Sequence, residues 1–232
     1  MTNKYQFAGI CVEITHIYPY FSQLARDYLC DADPEVSLTV TQADIDLERA
    51  DGEAQDGYLE SLVIYRKLCE QLVQKDIILL HSAAITVDGK AYLFTAPSGT
   101  GKSTHIRLWR KRFGKAVGII NGDKPLISVT PTEIRAWGTP WDGKEHWSAN
   151  RSAPVAGICQ IGRAAENTIY PASAEEALRV LFTQTYRPQT EMGMRKTVQL
   201  LAEISRRVPF WNLKCNMTAE AAEVSYAAMR GE

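Results

Sequence analysis

Eight consecutive residues carry the clearest chemistry in the chain: Ala96, Pro97, Ser98, Gly99, Thr100, Gly101, Lys102 and Ser103. They fit the pattern Gly/Ala-x-x-x-x-Gly-Lys-Ser/Thr, with alanine in the first place. Gly99 and Gly101 allow backbone conformations that a Cβ would forbid. The backbone N–H groups from Ser98 through Gly99, Thr100, Gly101, Lys102 and Ser103 to Thr104 then form a nest for phosphate oxygens. A following helix would aim its partly positive N-terminus at the same place. Lys102 brings a mobile charge for outer phosphates, and the Ser103 hydroxyl suits Mg²⁺. ATP or GTP with Mg²⁺ is therefore the expected cofactor pair. The bland alternative is a glycine-rich turn capping an ordinary helix.

Two further residues could act on a bound phosphate. Asp123 follows the apolar run "AVGII" in "AVGIINGDKP". An acid just beyond an apolar strand belongs to the phosphoryl-transfer template, where it meets the metal or a substrate hydroxyl. If its strand lay beside the loop strand, Asp123 would reach both, and with Ser103 it would be a metal ligand. Asp also suits the turn "NGDKP". His81 ends the apolar run "DIILLH". Histidine as a residue type changes charge near neutral pH, which fits catalysis, while many such residues simply finish a core or edge strand. His105, Asn121 and Lys124 could also face the site. For His105 a surface position on the helix competes.

The elements that must hold these residues can be read from periodicity and turn signals. Tyr5–Ile14 and Val36–Thr41 read as strands, and the polar, acidic stretch 41–57 as a loop or linker. Apolar positions from Leu59 to Val73 follow helical spacing. "DIILLHSAAITV" and "KAYLFTA" read as strands around an Asp88-Gly89 hairpin turn. The segment Ser103–Phe113 reads as the helix leaving the loop, ended by Gly114. Strands follow at 115–120, 125–130, 133–138, 155–161 and 167–171. Ser173 with Glu176 opens a helix by a capping box, a second helix covers 191–207, "FWNLKC" is a last strand, and Thr218 opens a terminal helix. This divides the chain into a small N-terminal α+β appendage, 1–57, and a loop-bearing domain, 58–232, that includes the C-terminal helices.

The segment 138–154, "GTPWDGKEHWSANRSAP", is unusual for a loop. Trp137, Trp141 and Trp147 lie in or beside it, and exposed loops rarely carry so much aromatic area. It could be a lid or acceptor-binding loop using Lys144, His146 and Arg151, or a loop folded onto the core.

Composition closes off several classes. The 232 residues include 26 Lys and Arg against 27 Asp and Glu, a net charge of −1. That balance calls for no nucleic-acid partner, and the basic run Arg107–Lys115 reads as a solvated helix face. The five cysteines form no CxxC pair and have no histidine at ligand spacing, so a zinc site is not expected. No signal peptide or span-length apolar run appears, so a cytoplasmic protein without a membrane partner is expected.

"LHSAAITVDGKAYLFTAPSGTGKST" followed by "NGDKP" resembles the catalytic core of HPr kinase/phosphorylase and its relatives, which share a fold with phosphoenolpyruvate carboxykinases. The resemblance covers about 77–123 closely and 125–161 more loosely. It implies an α/β P-loop catalytic domain of that type with a mixed sheet. It also implies that Asp123 takes the acceptor proton, that His81 sits near the transferred phosphate, and that Lys102 and Ser103 hold phosphates and Mg²⁺. The family places a second acid where this chain has Gly122. Glu133 and Glu145 are the nearby candidates for its metal-binding glutamate. The implied activity is transfer of the γ-phosphate to a hydroxyl of a small molecule or to Ser/Thr of a peptide or protein, in a possible homo-oligomer. A nucleotide-responsive partner-binding module and an NTP hydrolase are the competing classes.

Overall fold

The computed structural model describes residues 1–49 and 53–231. At the N-terminus, β1 (Thr2–Phe7) and β2 (Ile10–Thr15) are antiparallel, and β3 (Val36–Thr39) lies parallel to β2. The single strand expected over Tyr5–Ile14 is thus a hairpin. Ala8 and Gly9 both have positive φ, 52° and 87°, and reverse the chain there. Helix α1 (Pro19–Leu24) fills part of the β2–β3 connection.

The stretch expected to be a loop or linker holds helix α2 (Gln42–Glu48). Local polarity concealed it because its signal is a cap. The Thr41 hydroxyl accepts from the Asp44 N–H, and the Asp44 carboxylate accepts from the Thr41 N–H. The part of that expected linker at 50–52 lies outside the described residues.

Helix α3 (Asp56–Leu72) buries Leu59, Val63, Ile64, Leu68 and Leu72 at helical spacing. These residues join Tyr5, Phe7, Ile14, Phe21 and Trp141 in one apolar cluster. One continuous core therefore runs across position 57, from the N-terminal sheet through α3 to the loop at Trp141.

The larger sheet is mixed and, among the described residues, nine-stranded. Its strands before the C-terminal helices are β4 (Ile77–Leu79), β5 (Ser82–Val87), β6 (Lys90–Thr95), β7 (Gly118–Asn121), β8 (Leu126–Val129), β9 (Ile134–Trp137), β10 (Ser152–Arg163) and β11 (Thr168–Pro171). Helix α4 (Lys102–Phe113) stands between β6 and β7. After β11 come α5 (Ala174–Gln184), α6 (Glu191–Arg207), β12 (Phe210–Cys215) and α7 (Glu220–Arg230). The main path runs β4-β8-β9-β10-β6-β5-β7, with β12 on β10 and β11 on β12. The Asp88-Gly89 turn joins β5 to β6, with φ of 50° and 74° and Val87 paired to Lys90.

Three expectations change. "DIILLHSAAITV" is not one strand: β4 pairs with β8 and β5 with β6 and β7, so the chain breaks at Leu80-His81. Strand β7 also does not lie beside β6, because β5 stands between them. The capping box at Ser173 and Glu176 is present. Helix α7 begins instead from Ala219 without a side-chain cap, and Thr218 bonds to Asn216.

Asp44 links α2 to α3. Lys67 Nζ donates to its Oδ2 at 2.7 Å, and this bond, with those from Thr41, lowers the carboxyl from 3.8 to about 2. Because the folded-state value is depressed, the stabilisation is complete above about pH 4 and is lost as pH falls through about 2. Asp44→Asn is therefore expected to lower Tm by about 2 °C at pH 7. The gap to the parent protein should close between pH 4 and pH 2 in thermal melts.

Candidate functional site

The loop between β6 and α4 rises from a buried base. Phe94, Thr95 and Ala96 are buried, so Ala96 occupies a place where a small side chain fits under the turn. Gly99 and Gly101 have φ of 76° and 130°. A Cβ at either would meet open space, so glycine is needed for backbone conformation, not for room. Gly101 then caps α4, whose first residues are Lys102 and Ser103.

A cavity of about 440 Å³ opens at this loop. Ser98, Gly99, Gly101, Lys102, Ser103 and Thr104 line it from one side, His81 and Asp123 from another, and the segment Asp142–Glu145 from a third. Of the loop residues read as binding, Thr100 falls on a neighbouring cavity instead.

Three of the expected residues meet directly. Lys102 Nζ lies 3.1 Å from His81 Nε2 and donates to the Ala96 carbonyl at 2.9 Å. His81 Nε2 is also 3.2 Å from Asp123 Oδ1. On the far side of the ring, Nδ1 is 3.0 Å from Gln184 Oε1, which fixes a hydrogen on Nδ1. Nε2 therefore faces both a donor and an acceptor. The neutral ring accepts from Lys102, and the protonated ring donates to Asp123. Burial alone would raise the Asp123 carboxyl, but His81, Lys124 and Lys102 together hold it below the usual carboxylate range. Burial pushes the Lys102 ammonium down, partly offset by Asp123.

Asp123 reaches this place although β7 is not next to β6. The Ser82 N–H donates to the Asp123 carbonyl at 3.0 Å, tying the turn to the start of β5, where His81 sits. Asn121 fixes the turn from below. Its Oδ1 accepts from the N–H groups of Asp123 (2.8 Å) and Lys124 (2.6 Å). Its Nδ2 donates to Thr139 O at 2.9 Å and Trp141 O at 3.3 Å. Asn121 is fully buried and is a positioning residue that does not line the cavity. The signal that could have found this role is its place two residues before Asp123, the spacing of an Asx turn.

The tryptophan-rich segment is both packed and site-forming. Trp141 is buried against Phe7, Phe21 and Tyr65, and its Nε1 donates to Ser61 O at 3.1 Å. Directly after it, Asp142, Gly143, Lys144 and Glu145 line the cavity. A Cβ on Gly143 would stand 3.0 Å from the Asp123 Cβ. Lys144 thus falls at the site, while His146 is exposed and faces Asp142. Arg151 is absent from the lining, and Lys124 lies over the Tyr65 ring. Arg107 lines the cavity and pairs with Glu145, and both Arg107 and Arg110 stand over Trp147. Glu133 pairs with Arg135 on β9, away from the cavity.

His105 is neither on the surface nor in the lining of this cavity. It is 2% exposed and packs on Phe94. Trp109 Nε1 donates to its Nε2 at 3.0 Å, Ser225 Oγ is 3.2 Å from the same atom, and burial pushes its pKa down to about 3.

Among the described residues, no group of three or more His, Cys, Asp or Glu side chains could hold a metal ion. No helix is long and apolar enough to cross a membrane. No family model matches the sequence, and no curated protein matches it. Among solved structures, the HPr(Ser) kinase/phosphatase from Coxiella burnetii is similar, with a TM-score of 0.36 and 9% identity over 66% of this chain and 99% of that one.

Replacing Asn121 by Ala would leave the Asp123 and Lys124 N–H groups without their acceptor and take one donor each from the Thr139 and Trp141 carbonyls, which keep the Ser148 and Thr139 hydroxyls. The expected cost is about 3 kcal/mol, or roughly 6–12 °C in Tm, measured by calorimetry.

Proposed function

We propose that the protein is an ATP- or GTP-dependent phosphotransferase acting on a hydroxyl of a small molecule or on Ser/Thr of a peptide. The observation that supports this is the meeting of Lys102, His81 and Asp123 at the glycine-rich loop. A phosphate nest alone serves any nucleotide-binding protein, whereas a carboxylate within reach of the outer phosphate position adds a proton acceptor.

In this scheme the loop amides and Lys102 hold the β and γ phosphates. The acceptor hydroxyl oxygen attacks the γ phosphorus, and the bond from that phosphorus to the β–γ bridging oxygen breaks. The nucleoside diphosphate leaves, and the hydroxyl proton passes to the Asp123 carboxylate. His81, anchored by Gln184, keeps Asp123 oriented and ionised. Ser103 and Asp123 line one cavity with oxygen donors, a set that suits Mg²⁺ completed by phosphate oxygens and water. Bound there, Mg²⁺ would neutralise charge on the phosphates. The segment Asp142–Glu145 and Arg107 form the remaining wall, where the acceptor would lie.

Titration calorimetry with Mg-ATP and Mg-GTP, together with transfer of labelled γ-phosphate to a panel of alcohols and Ser/Thr peptides, tests this. Lys102→Ala is expected to lose nucleotide binding. Asp123→Asn is expected to keep binding and lose transfer by about 100-fold or more. Transfer unchanged in Asp123→Asn would remove the base. Binding without transfer to any acceptor would favour a nucleotide-responsive module, and release of phosphate to water a hydrolase.

A further inference from the structure

The small N-terminal sheet turns one face into the main apolar cluster, through Tyr5, Phe7, Val12 and Ile14. Side chains alternate along a strand, so Cys11 points to the opposite face. It is nevertheless only 3% exposed. The cover comes from the connection that returns from α1 to β3. The Cys30 N–H donates to Lys4 O at 3.1 Å, and the Glu35 N–H donates to Cys11 O at 2.9 Å. The stretch between them crosses the sheet face and lays Cys30 on Cys11. Their Sγ atoms are 3.3 Å apart, and Cys11 Sγ donates to Ala32 O at 3.3 Å.

The two thiols differ in access. Cys30 is half-buried and lines a cavity of about 380 Å³ beside Lys4, Glu13 and Asp31, whereas Cys11 lines no part of it. Burial and the neighbouring Cys30 push the Cys11 thiol up to about 11, so it stays protonated near neutral pH. Among the described residues no other two cysteine sulfurs are in contact, and Cys69, Cys159 and Cys215 are buried. A reachable sulfur thus has a second one in contact behind it, the arrangement of an attacking and a resolving cysteine. The connection also reaches beyond the sheet. Two residues before Cys30, the Tyr28 ring lies 5.5 Å from that of Phe7, and its Oη meets Ser148 Oγ at 2.9 Å. Asn150 Nδ2 donates to Asp27 O at 2.7 Å. Asp27 and Tyr28 therefore hold the tryptophan-rich segment near its end.

We propose that Cys11 and Cys30 are a modification site for hydrogen peroxide, which converts them to a disulfide and fastens the connection that braces the tryptophan-rich segment. The Cys30 thiolate sulfur attacks one peroxide oxygen. The O–O bond breaks, and the departing hydroxide takes up the proton that the Cys30 thiol released. Cys30 is then a sulfenic acid. The Cys11 sulfur attacks the Cys30 sulfur, the S–O bond breaks, and the oxygen leaves as water with the Cys11 proton. Two electrons pass from the sulfurs to the peroxide, which ends as two waters. An external dithiol reverses the change by thiol–disulfide exchange. The sulfurs have to approach by only about 1 Å. The link joins residues 19 apart in the chain, which restricts the unfolded state. Reversible pairs of this kind are the disulfides that reducing compartments allow.

The test is to treat the folded protein with a few equivalents of hydrogen peroxide, block the free thiols, and map its peptides by mass spectrometry without reduction. A single Cys11–Cys30 link within one chain is expected, with Cys69, Cys159 and Cys215 left as thiols and the intact mass lower by two hydrogen atoms. Tm should rise by about 5 °C and fall back with dithiothreitol. In Cys11→Ser, Cys30 should stop at a sulfenic acid that dimedone traps. In Cys30→Ser, Cys11 should react about tenfold more slowly than Cys30 does in the parent protein. Both thiols left free, Cys30 carried to sulfinic acid without a link, or links only between chains would each overturn the proposal. A link that leaves Tm unchanged would overturn the bracing, and undiminished reactivity of Cys11 in Cys30→Ser would overturn the order of attack. The pairing is decided on the parent protein, so it stands or falls even if a variant does not fold.

Discussion

The Asn121 side chain is fully buried at the end of β7 and hydrogen-bonds in two directions at once. One end gathers the turn that carries Asp123, and the other holds the backbone of the segment 139–141. A buried amide must be satisfied, and removing this one would leave the Asp123 and Lys124 N–H groups without their acceptor. The turn and the tryptophan-rich segment are thus locked to one another. Asp123 is delivered to the loop by this lock and by the Ser82 bond to its carbonyl, not by a strand lying next to β6.

The same segment is anchored on its other side by the N-terminal part of the chain. Trp141 enters a cluster built from Tyr5, Phe7, Phe21 and α3, and Tyr28 Oη meets Ser148 Oγ at 2.9 Å. Large aromatic faces buried this way resist displacement because removing one opens a cavity that its neighbours cannot close. The N-terminal sheet and α3 therefore brace the wall formed by Asp142–Glu145. They act on the cavity through packing and place no residue in its lining.

Much of the frame was legible because its signals are local. Gly99 and Gly101 mark the loop, Asp88-Gly89 the hairpin, and Ser173 with Glu176 the start of α5, each within a span of a few residues. What escaped notice was of two kinds. Helix α2 was hidden in a polar stretch, since its cap rather than its apolar spacing specifies it. The break at Leu80-His81 was hidden because an unbroken apolar run does not say which neighbours its two halves will choose.

The sequence by itself determined the backbone chemistry of the loop, its position between a strand and a helix, and the residue types able to act on a phosphate. These depend on torsional freedom and on hydrogen bonds between residues close in the chain. Only the tertiary structure decided which candidates meet. His81 joins Asp123 and Lys102 but takes its orientation from Gln184, 103 residues on. His105, a few residues beyond the loop, turns instead into a buried contact with Ser225, 120 residues away. Such pairings follow from sheet order and from which faces the core can cover. Those are properties of the whole packed chain and leave no mark in any short stretch of it.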